Sequence, residues 1–313
     1  MILITGSSGY VGSDLVPRLR AIGQVLGIDI SPSQNTDIVA GIETAELKMA
    51  LKDLACYELN IVNLAAARFD FGATAQEYFN LNVKCHELFL DSLCEFKIKN
   101  FIHVSSVASF DGREIPYSEG LECDDAYRST KYLQELLVKE WCQENGVNLT
   151  ILYPSAIFSE DTRSDTNIGK MQTLSRYLPF VPEIDVHKSL TYLPKFSAFI
   201  GDVLKDKLSS GQYLTIEQPT LTVSEMIRIL SGRSLRLLRV PGLRALLTMA
   251  ARFLYTVGWF GRVDMKLTPN RVKKLFSDTT YADVEDDQVD RIFYTNTQKE
   301  PLADILANFK KKE

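Results

Sequence analysis

The sequence is poor in the residues from which metal sites and disulfide frameworks are built. Its 313 residues include five cysteines, an odd number with no CxxC spacing, and three isolated histidines. Scattered cysteines are typical of reduced thiols, so we expect no disulfide frame, no metal centre and a cytoplasmic location. We expect structural or surface roles for the three histidines, which are His86, His103 and His187.

An excess of positive charge is also lacking, since 40 acidic residues outnumber 35 basic ones and the net charge is −5. Proteins that bind nucleic acid usually carry a basic patch, so we expect no nucleic-acid partner. No cationic segment precedes the first apolar run after Met1. We therefore expect no signal peptide.

Long hydrophobic runs are absent with one partial exception, the segment 242–260 (GLRALLTMAARFLYTVGWF). Arg244 and Arg252 interrupt it and Arg262 follows it, so we expect no transmembrane span. We interpret the segment as an amphipathic helix that packs on its own domain. A peripheral contact with a membrane surface and a contact with another subunit remain open as alternatives.

Glycine is concentrated at the start of the chain. The apolar run Ile2–Ile4 predicts a buried strand, Gly6, Gly9 and Gly12 follow at three-residue spacing, and Val11–Ile22 predicts a helix. A strand, a glycine-rich turn and a helix in this order bind the pyrophosphate of a dinucleotide at the helix N-terminus.

A second predicted strand, Gln24–Ile30, carries an acidic residue near its end, where a ribose hydroxyl could donate hydrogen bonds to Asp29. The carboxylate would repel a 2′-phosphate, and no arginine occurs between Asp29 and Arg68. We therefore expect NAD as the cofactor rather than NADP. The cofactor contacts predicted from this part of the chain are Gly6, Gly9, Tyr10, Val11, Gly12, Asp29 and Ile30.

Strand and helix patterns alternate through the first half of the chain, which predicts an α/β fold with a doubly wound parallel (Rossmann) sheet over residues 1–155. Two later strands, Leu190–Leu193 and Gln212–Ile216, are expected to return to this sheet from within residues 186–218. Residues 156–313 are expected to form mainly a smaller C-terminal substrate-binding domain. The other predicted elements are strands at Leu59–Ala65, Phe101–Ser105 and Leu149–Tyr153, and helices at Ala45–Leu54, Ala75–Phe96 and Tyr127–Asn145.

A tyrosine and a lysine four residues apart, Tyr127 and Lys131, lie at the start of a predicted helix and hence on one face. A phenol has a pKa of about 10, and a neighbouring ammonium favours its ionised form. Ser106 follows a predicted strand, at the edge where a parallel sheet binds ligands. We predict that Ser106, Tyr127 and Lys131 are catalytic, with the serine holding a substrate oxygen while the tyrosine moves its proton.

These motifs resemble the extended short-chain dehydrogenase/reductase family, whose members are largely epimerases, dehydratases and reductases of nucleotide sugars. TGSSGYVG is similar to the family's TGxxGxxG, and the resemblance covers about the first 160 residues well. It implies a homodimer through Ala75–Phe96 and Tyr127–Asn145, with Phe79, Val83, Leu133 and Leu137 at the contact. The further cofactor contacts that it implies are Leu64, Ala65, Ala66, Asn82, Tyr127, Lys131, Pro154 and Ser155.

One departure from the family bears on the reaction. Where the 4,6-dehydratases carry Thr-Asp-Glu, this chain has Ser106-Val107-Ala108, so the acid/base pair that expels water is missing. We therefore predict an NAD-dependent epimerase that acts on a nucleotide-diphosphate sugar by transient hydride transfer. The alternatives are a reductase or dehydrogenase of a keto nucleotide sugar or a sterol-like alcohol, and a non-catalytic dinucleotide sensor. Candidate ligands for the substrate diphosphate are Arg163, Arg176, Lys188 and Arg271.

Overall fold

The computed structural model describes residues 1–66, 73–159, 166–217, 220–261, 269–281 and 289–294. The described strands are β1 (Ile2–Thr5), β2 (Val25–Asp29), β3 (Ile38–Val39), β4 (Glu58–Asn63), β5 (Lys97–Val104), β6 (Asn148–Pro154), β7 (Ala156–Phe158), β8 (Val181–Pro182), β9 (His187–Lys188), β10 (Leu190–Tyr192), β11 (Gly211–Ile216), β12 (Leu221–Thr222), β13 (Leu237–Leu238) and β14 (Arg291–Tyr294). The described α-helices are α1 (Tyr10–Arg20), α2 (Ala45–Leu51), α3 (Ala75–Phe79), α4 (Cys85–Leu93), α5 (Ala108–Gly112), α6 (Cys123–Glu144), α7 (Asn167–Ser175), α8 (Leu193–Leu204), α9 (Val223–Ser231), α10 (Leu243–Gly261) and α11 (Pro269–Leu275).

The chain divides into two compact units. The first contains Met1–Ser155, Leu193–Thr215 and the residues around β14. The second contains Ala156–Tyr192 and the described residues that follow Ile216 as far as Tyr281.

Seven parallel strands form the sheet of the first unit in the order β3-β2-β1-β4-β5-β6-β11, and β14 lies next to β11. The order reverses between β1 and β4, because the chain first builds outward from β1 and then from β4 in the opposite direction. Ligands of open α/β sheets bind at the carboxyl ends of the strands beside such a reversal. The predicted α/β class with a doubly wound parallel sheet is confirmed.

The core of the first unit lies between this sheet and the helices α2, α4 and α6. Leu3 and Phe101 from the strands are fully buried against Phe89 of α4 and Val138 of α6. Strand side chains alternate between the two faces of a sheet, so the sheet presents a second apolar face. The helices α1 and α8 pack against each other outside this cluster.

The helix predicted over Ala75–Phe96 is not a single regular helix. It consists of α3 and α4 joined by a π-helical turn at Asn80–Lys84, and it ends at Leu93. A π-helical turn inserts one extra residue into a helix, and such turns are frequent at functional sites. The hydrophobic pattern could not reveal it, because both flanking helices keep their own apolar faces.

The helix predicted from Tyr127 starts four residues earlier, at Cys123. Asp124 and Asp125 occupy its first turn, where negative charge interacts favourably with the helix dipole. Tyr127 therefore lies in the second turn of α6 and not at its start. This correction places the tyrosine in regular helix, where its backbone is held by neighbours on both sides.

One of the two strands expected to return to the main sheet does so. The strand predicted at Gln212–Ile216 is β11, which pairs with β6. The expectation for Leu190–Leu193 is wrong, because β10 pairs in parallel with β7 in the second unit, and Leu193 begins α8. Contact between the rings of Tyr192 and Phe158, 5.4 Å apart, accompanies this pairing.

The described residues of the second unit form three short strand pairs and several helices. β12 pairs with β9 in antiparallel fashion, and β13 pairs with β8 in parallel. Helix α9 begins with a capping box between Thr222 and Glu225 and buries Met226 and Leu230 in an apolar cluster. Within the described part of the chain, no helix is long and apolar enough to cross a membrane.

The closest backbone approach in the glycine-rich loop predicts a loss of stability on substitution. A Cβ atom on Gly12 would lie 2.3 Å from the carbonyl oxygen of Gly6, so Gly12→Ala must displace either α1 or the loop. We expect the free energy of unfolding to fall by about 1–3 kcal/mol, measured by denaturant unfolding, as in other overpacked sites.

Gly23→Ala is the matched control, because a Cβ atom at Gly23 meets nothing within 4 Å. Equal stability of Gly12→Ala and Gly23→Ala would contradict the assigned role of the Gly12 contact.

Candidate active site

The glycine-rich loop lies at the reversal of strand order, between the ends of β1 and β4. Gly6 follows β1 with φ +73, a conformation that favours glycine. A Cβ atom there would lie 3.1 Å from the backbone of Leu64, which follows β4. The tight turn at Gly6 therefore brings the start of α1 close to the end of β4.

Asp29 at the end of β2 fixes the same loop from the other side. One carboxylate oxygen accepts the backbone N–H of Ser8 at 3.0 Å, and the other accepts that of Ser31 at 2.9 Å. The carboxylate thus connects the glycine-rich loop to the turn after β2. Each oxygen retains further lone pairs for another donor.

The end of β4 is held against β1 by a buried polar group. The hydroxyl of Thr5 donates to the side-chain oxygen of Asn63 at 2.7 Å and accepts the N–H of Ala65 at 3.1 Å. The Asn63 amide in turn lies 3.2 Å from Nδ1 of His103 on β5. Burial lowers the pKa of His103 well below its ordinary value, so this histidine is neutral.

A buried carboxylate holds the loop that carries the predicted catalytic serine. Glu135 of α6 is fully buried, and its oxygens accept hydrogen bonds from Ser105, Ser109, Tyr153 and Lys139 at 2.7 to 3.2 Å. An unpaired buried charge would be strongly destabilising, and these four donors compensate it. They also fix the segment 105–109 to α6 and to β6.

Ser106 is half-buried in this segment, and its hydroxyl oxygen accepts the backbone N–H of Ala108 at 3.2 Å. The short helix α5 that follows packs closely on α6. A Cβ atom on Gly112 would lie 2.1 Å from the carbonyl oxygen of Arg128, the residue after Tyr127. The glycine therefore lets the serine-bearing segment approach the backbone of α6 next to the tyrosine.

Tyr127 is half-buried on α6 and its ring lies 5.9 Å from that of Tyr78 on α3. Asn82 in the π-helical turn donates its side-chain N–H to the hydroxyl of Thr130 at 3.1 Å. Thr130 is the neighbour of Lys131, so the π-helical turn is attached to α6 between the two predicted catalytic residues.

Lys131 is almost completely buried, with 1% exposure. Its ammonium donates to the carbonyl oxygen of Val104 at 3.3 Å and to the side-chain oxygen of Gln134 at 2.5 Å. Val104 ends β5 two residues before Ser106, so the structure brings the lysine to the strand end that bears the serine. Burial lowers the pKa of Lys131 to about 7, and the charge of Glu135 opposes this shift.

Gln134 continues this hydrogen bonding into the core. Its amide nitrogen lies 2.6 Å from Nε2 of His86 and donates to the carbonyl oxygen of Ala65 at 3.2 Å. Nδ1 of His86 lies 3.1 Å from the carbonyl oxygen of Leu81 in the π-helical turn. Because a carbonyl only accepts, His86 carries its proton on Nδ1 and accepts from Gln134 at Nε2. Burial and the charge of Lys131 lower its pKa to about 3, in agreement with a neutral ring.

The other predicted cofactor residues differ in how far they are buried. Pro154 is buried, and its carbonyl oxygen accepts the N–H of Val107 at 3.2 Å, which joins the segment 105–109 to the end of β6. Ile30, by contrast, is 75% exposed. Tyr10, Val11, Leu64, Ala65 and Ser155 are half-buried and Ala66 is exposed.

The four predicted diphosphate ligands are placed differently. Arg163 lies outside the described residues, and for Arg271, in the first turn of α11, only the backbone is described. Arg176 follows α7 and is exposed. Lys188 donates to the carbonyl oxygens of Lys274 and Ser277 at the end of α11, which gives its ammonium a structural role within the second unit.

Residues 2–177 match the family described as the NAD dependent epimerase/dehydratase family. Solved structures show a similar fold at low sequence identity. A short-chain dehydrogenase/reductase superfamily protein from Agrobacterium tumefaciens with bound NAD is 20% identical, with 77% of this chain and 85% of that chain covered and a TM-score of 0.61.

Two epimerases from Bacillus cereus are similar to the same extent. UDP-N-acetylglucosamine 4-epimerase is 18% identical over 76% of this chain and 86% of its own, with a TM-score of 0.60. UDP-glucuronic acid 4-epimerase in complex with NAD is 19% identical over 76% of this chain and 85% of its own, with a TM-score of 0.60. No curated protein matches the chain.

The residues at the strand-order reversal fit a bound NAD. A Cβ atom at Gly12 would lie 2.3 Å from the carbonyl oxygen of Gly6, so glycine at this position lets the loop pack closely on the N-terminus of α1, where folds of this type bind a pyrophosphate. Asp29 sits at the end of β2 with acceptor capacity for a ribose hydroxyl. These residues would hold the pyrophosphate and the adenosine ribose.

Sequence reasoning missed three side chains of this site, namely His86, Gln134 and Glu135. Glu135 and Gln134 follow Lys131 by four and three residues, so helical spacing puts all three on one face of α6. An acidic and an amide residue at this spacing from Lys131 could have indicated a polar cluster on the buried face of the helix. The contact of His86 with this face had no signal in the sequence, because it joins residues of α4 and α6 that are 48 positions apart in the chain.

The contact between Gln134 and Lys131 predicts opposite effects of two substitutions on the titration of the lysine. The oxygen of Gln134 accepts from the ammonium and stabilises it, so Gln134→Leu should lower the pKa of Lys131 further below about 7. Gln134→Glu places a carboxylate beside the ammonium and should raise that pKa. The measurement is NMR titration of protein labelled at the lysine ε-carbons, with Lys131→Met to assign the signal.

Gln143→Leu is the control, since Gln143 is exposed on the same helix. Shifts of the same sign in both Gln134 variants, or no shift in either, would show that the amide does not control the charge of Lys131.

Proposed function

Since the chain belongs to the NAD dependent epimerase/dehydratase family, we propose that it epimerises a carbinol carbon of a nucleotide-diphosphate sugar. It is an NAD-dependent enzyme of the extended short-chain dehydrogenase/reductase type, and the substrate and the reaction are the proposal. The observation that carries this proposal is the composition of residues 106–108, Ser-Val-Ala. Val107 and Ala108 have no acidic side chain, so the two positions directly after Ser106 offer no carboxyl group for the expulsion of water.

The proposed chemistry assigns one role to each of three residues. Tyr127 removes the proton from the sugar hydroxyl and later returns it, and Ser106 holds the same oxygen by a hydrogen bond. Lys131 favours the ionised tyrosine through its positive charge. NAD, held by the glycine-rich loop and Asp29, would supply the acceptor for the hydride and the source from which it returns to the opposite face of the ring carbon.

The buried environment of Lys131 supports this role. A lysine with a pKa of about 7 exchanges its proton near neutral pH, whereas an exposed lysine remains charged. Its acceptors, the Val104 carbonyl and Gln134, hold the ammonium at the end of β5. The positive charge available to Tyr127 therefore depends on the two acceptors that hold the ammonium of Lys131 in place.

The proposed substrate is a nucleotide-diphosphate sugar for two reasons. Epimerases of UDP-sugars occur among the proteins of similar fold. Arginine recognises a diphosphate by paired hydrogen bonds, and Arg163, Arg176 and Arg271 are the candidates for this contact. Lys188 is the weakest of the four predicted ligands, because it already donates to two carbonyls.

Replacement of the proposed acid/base tests the function. Tyr127→Phe removes only the hydroxyl, so turnover of UDP-sugars should fall by about 10²- to 10⁴-fold while the affinity for NAD changes little. Turnover is measured by separating the two epimers, and NAD affinity by calorimetry. Tyr132→Phe, a half-buried tyrosine on the same helix, is the control.

Two results would overturn the proposal. Near-normal turnover in Tyr127→Phe would remove the tyrosine from the chemistry. Net reduction of NAD by a sugar or sterol, without formation of an epimer, would show a one-way dehydrogenase.

We propose further that the enzyme is a cytoplasmic homodimer joined through the helices α3, α4 and α6. Leu81, Leu88 and Leu136 are exposed on the π-helical turn, α4 and α6, by 39%, 52% and 40%. Of the positions named from the sequence, Val83 is buried within the chain, and Leu137 is partly buried against its core. The three exposed leucines are therefore better candidates for the contact than Val83 and Leu137.

The proposed contact predicts a monomer after charge is introduced into it. Leu88→Asp with Leu136→Asp should convert a dimer at micromolar concentration into a monomer, because a buried unpaired carboxylate is costly. Sedimentation velocity measures the change. Met49→Asp, at an exposed apolar residue of α2, should leave the dimer intact, and a monomeric unmodified protein would refute the proposal.

A further inference from the structure

One segment of the chain has a charge opposite to that of the whole protein. Residues 226–263 contain seven arginines and no lysine, aspartate or glutamate, although the net charge of the chain is −5. Arg262 lies outside the described residues. The other six are all exposed, namely Arg228, Arg233, Arg236, Arg239, Arg244 and Arg252.

The same segment exposes large apolar side chains. Leu237 and Leu238 in β13 are 55% and 47% exposed, and Leu246, Met249 and Phe253 in α10 are 56%, 62% and 69% exposed. Single exposed apolar side chains are common on protein surfaces, but five within 17 residues mark an interaction surface.

The three apolar residues of α10 form a single stripe. Their spacing of three and four residues places Leu246, Met249 and Phe253 on one side of the helix. A different side of α10 packs inward, where Leu243 contacts the apolar cluster of the second unit and Ala251 is fully buried. The exposed stripe is therefore not needed for the packing of the helix on its own unit.

Arg252 lies beside this stripe, because three residues of helix place it about 60° around the axis from Met249. The long apolar stem of an arginine can lie along an apolar surface while its guanidinium reaches a polar or charged layer above it. An exposed apolar stripe flanked by arginine is the pattern of a helix that lies in the interface of a membrane.

We propose that residues 236–253 bind the surface of an anionic lipid bilayer, with Leu246, Met249 and Phe253 inserted among the acyl chains. The arginines would contact lipid phosphates, and the excess of acid elsewhere in the chain would be repelled by the same surface. The attraction is thereby confined to this segment, which would orient the bound enzyme.

Charge argues against the two other occupants of this surface. A symmetric contact with a second copy would bring the arginines of both chains together, and like charges repel. Nucleic acid would satisfy the arginines but would leave the aliphatic stripe without an apolar partner. An anionic bilayer satisfies both features of the segment.

The test is flotation of the full-length protein with vesicles. Vesicles of phosphatidylcholine with about one third phosphatidylglycerol should bind the protein at least tenfold more tightly than pure phosphatidylcholine, and added salt should weaken the binding. Phosphatidylglycerol supplies the negative charge of the probe. Absence of binding to the anionic vesicles at low salt would overturn the proposal.

Two variants separate the apolar and the charged contributions. The triple change Leu246→Gln, Met249→Gln and Phe253→Gln should lower binding at least tenfold, and Arg236→Gln with Arg239→Gln should abolish much of the preference for anionic vesicles. Ile22→Gln with Met49→Gln, at exposed apolar residues of the first unit, should leave binding unchanged.

Sedimentation velocity of the triple variant identifies the competing occupant. Loss of a dimer together with unchanged vesicle binding would assign the stripe to a second copy and overturn the proposal. Loss of vesicle binding with an unchanged thermal midpoint, NAD affinity and oligomeric state would support it.

Discussion

A fully buried carboxylate, that of Glu135, determines much of the geometry around the candidate active site. Removal of a carboxylate from water is costly unless donors surround it, and here the donors come from the loop after β5, from β6 and from the next turn of α6. These elements must therefore keep a fixed separation. Ser106 lies between two of the donors, Ser105 and Ser109, so the hydrogen bonds of these two serines to Glu135 fix its position.

Lys131 complements this arrangement with a positive charge in the same buried layer. It has two acceptors, but burial still shifts its pKa to about 7. The layer between the sheet and α6 thus contains one acidic side chain that accepts from several donors and one base whose pKa lies near neutral pH. The two histidines nearby, His86 and His103, are neutral and add no charge.

The parallel sheet and the cofactor loop could be predicted from the sequence because they depend on local patterns. Short apolar runs alternate with helical periods, and Gly6, Gly9 and Gly12 stand between a predicted strand and a predicted helix, which is the context of a dinucleotide-binding loop. The partner of Leu190–Tyr192 could not be predicted, because a three-residue apolar strand has the same pattern in either unit. At the candidate site, the sequence indicated residues for catalysis but not the groups that hold them in place. Glu135 and Gln134 are polar residues whose burial depends on tertiary packing, and the π-helical turn has no periodic signal.

The hydrogen bonds from Lys131 through Gln134 to His86 have a consequence for how related sequences can vary. Each group in this series needs the next one as its partner, and His86 on α4 lies far along the chain from Lys131 and Gln134 on α6. A leucine in place of Gln134 would leave Nε2 of His86 as a buried acceptor without a donor. A small residue at position 86 would leave the Gln134 amide without that acceptor. Among homologues, positions 86 and 134 should therefore change together, from a histidine and glutamine to a pair of residues that need no hydrogen bond.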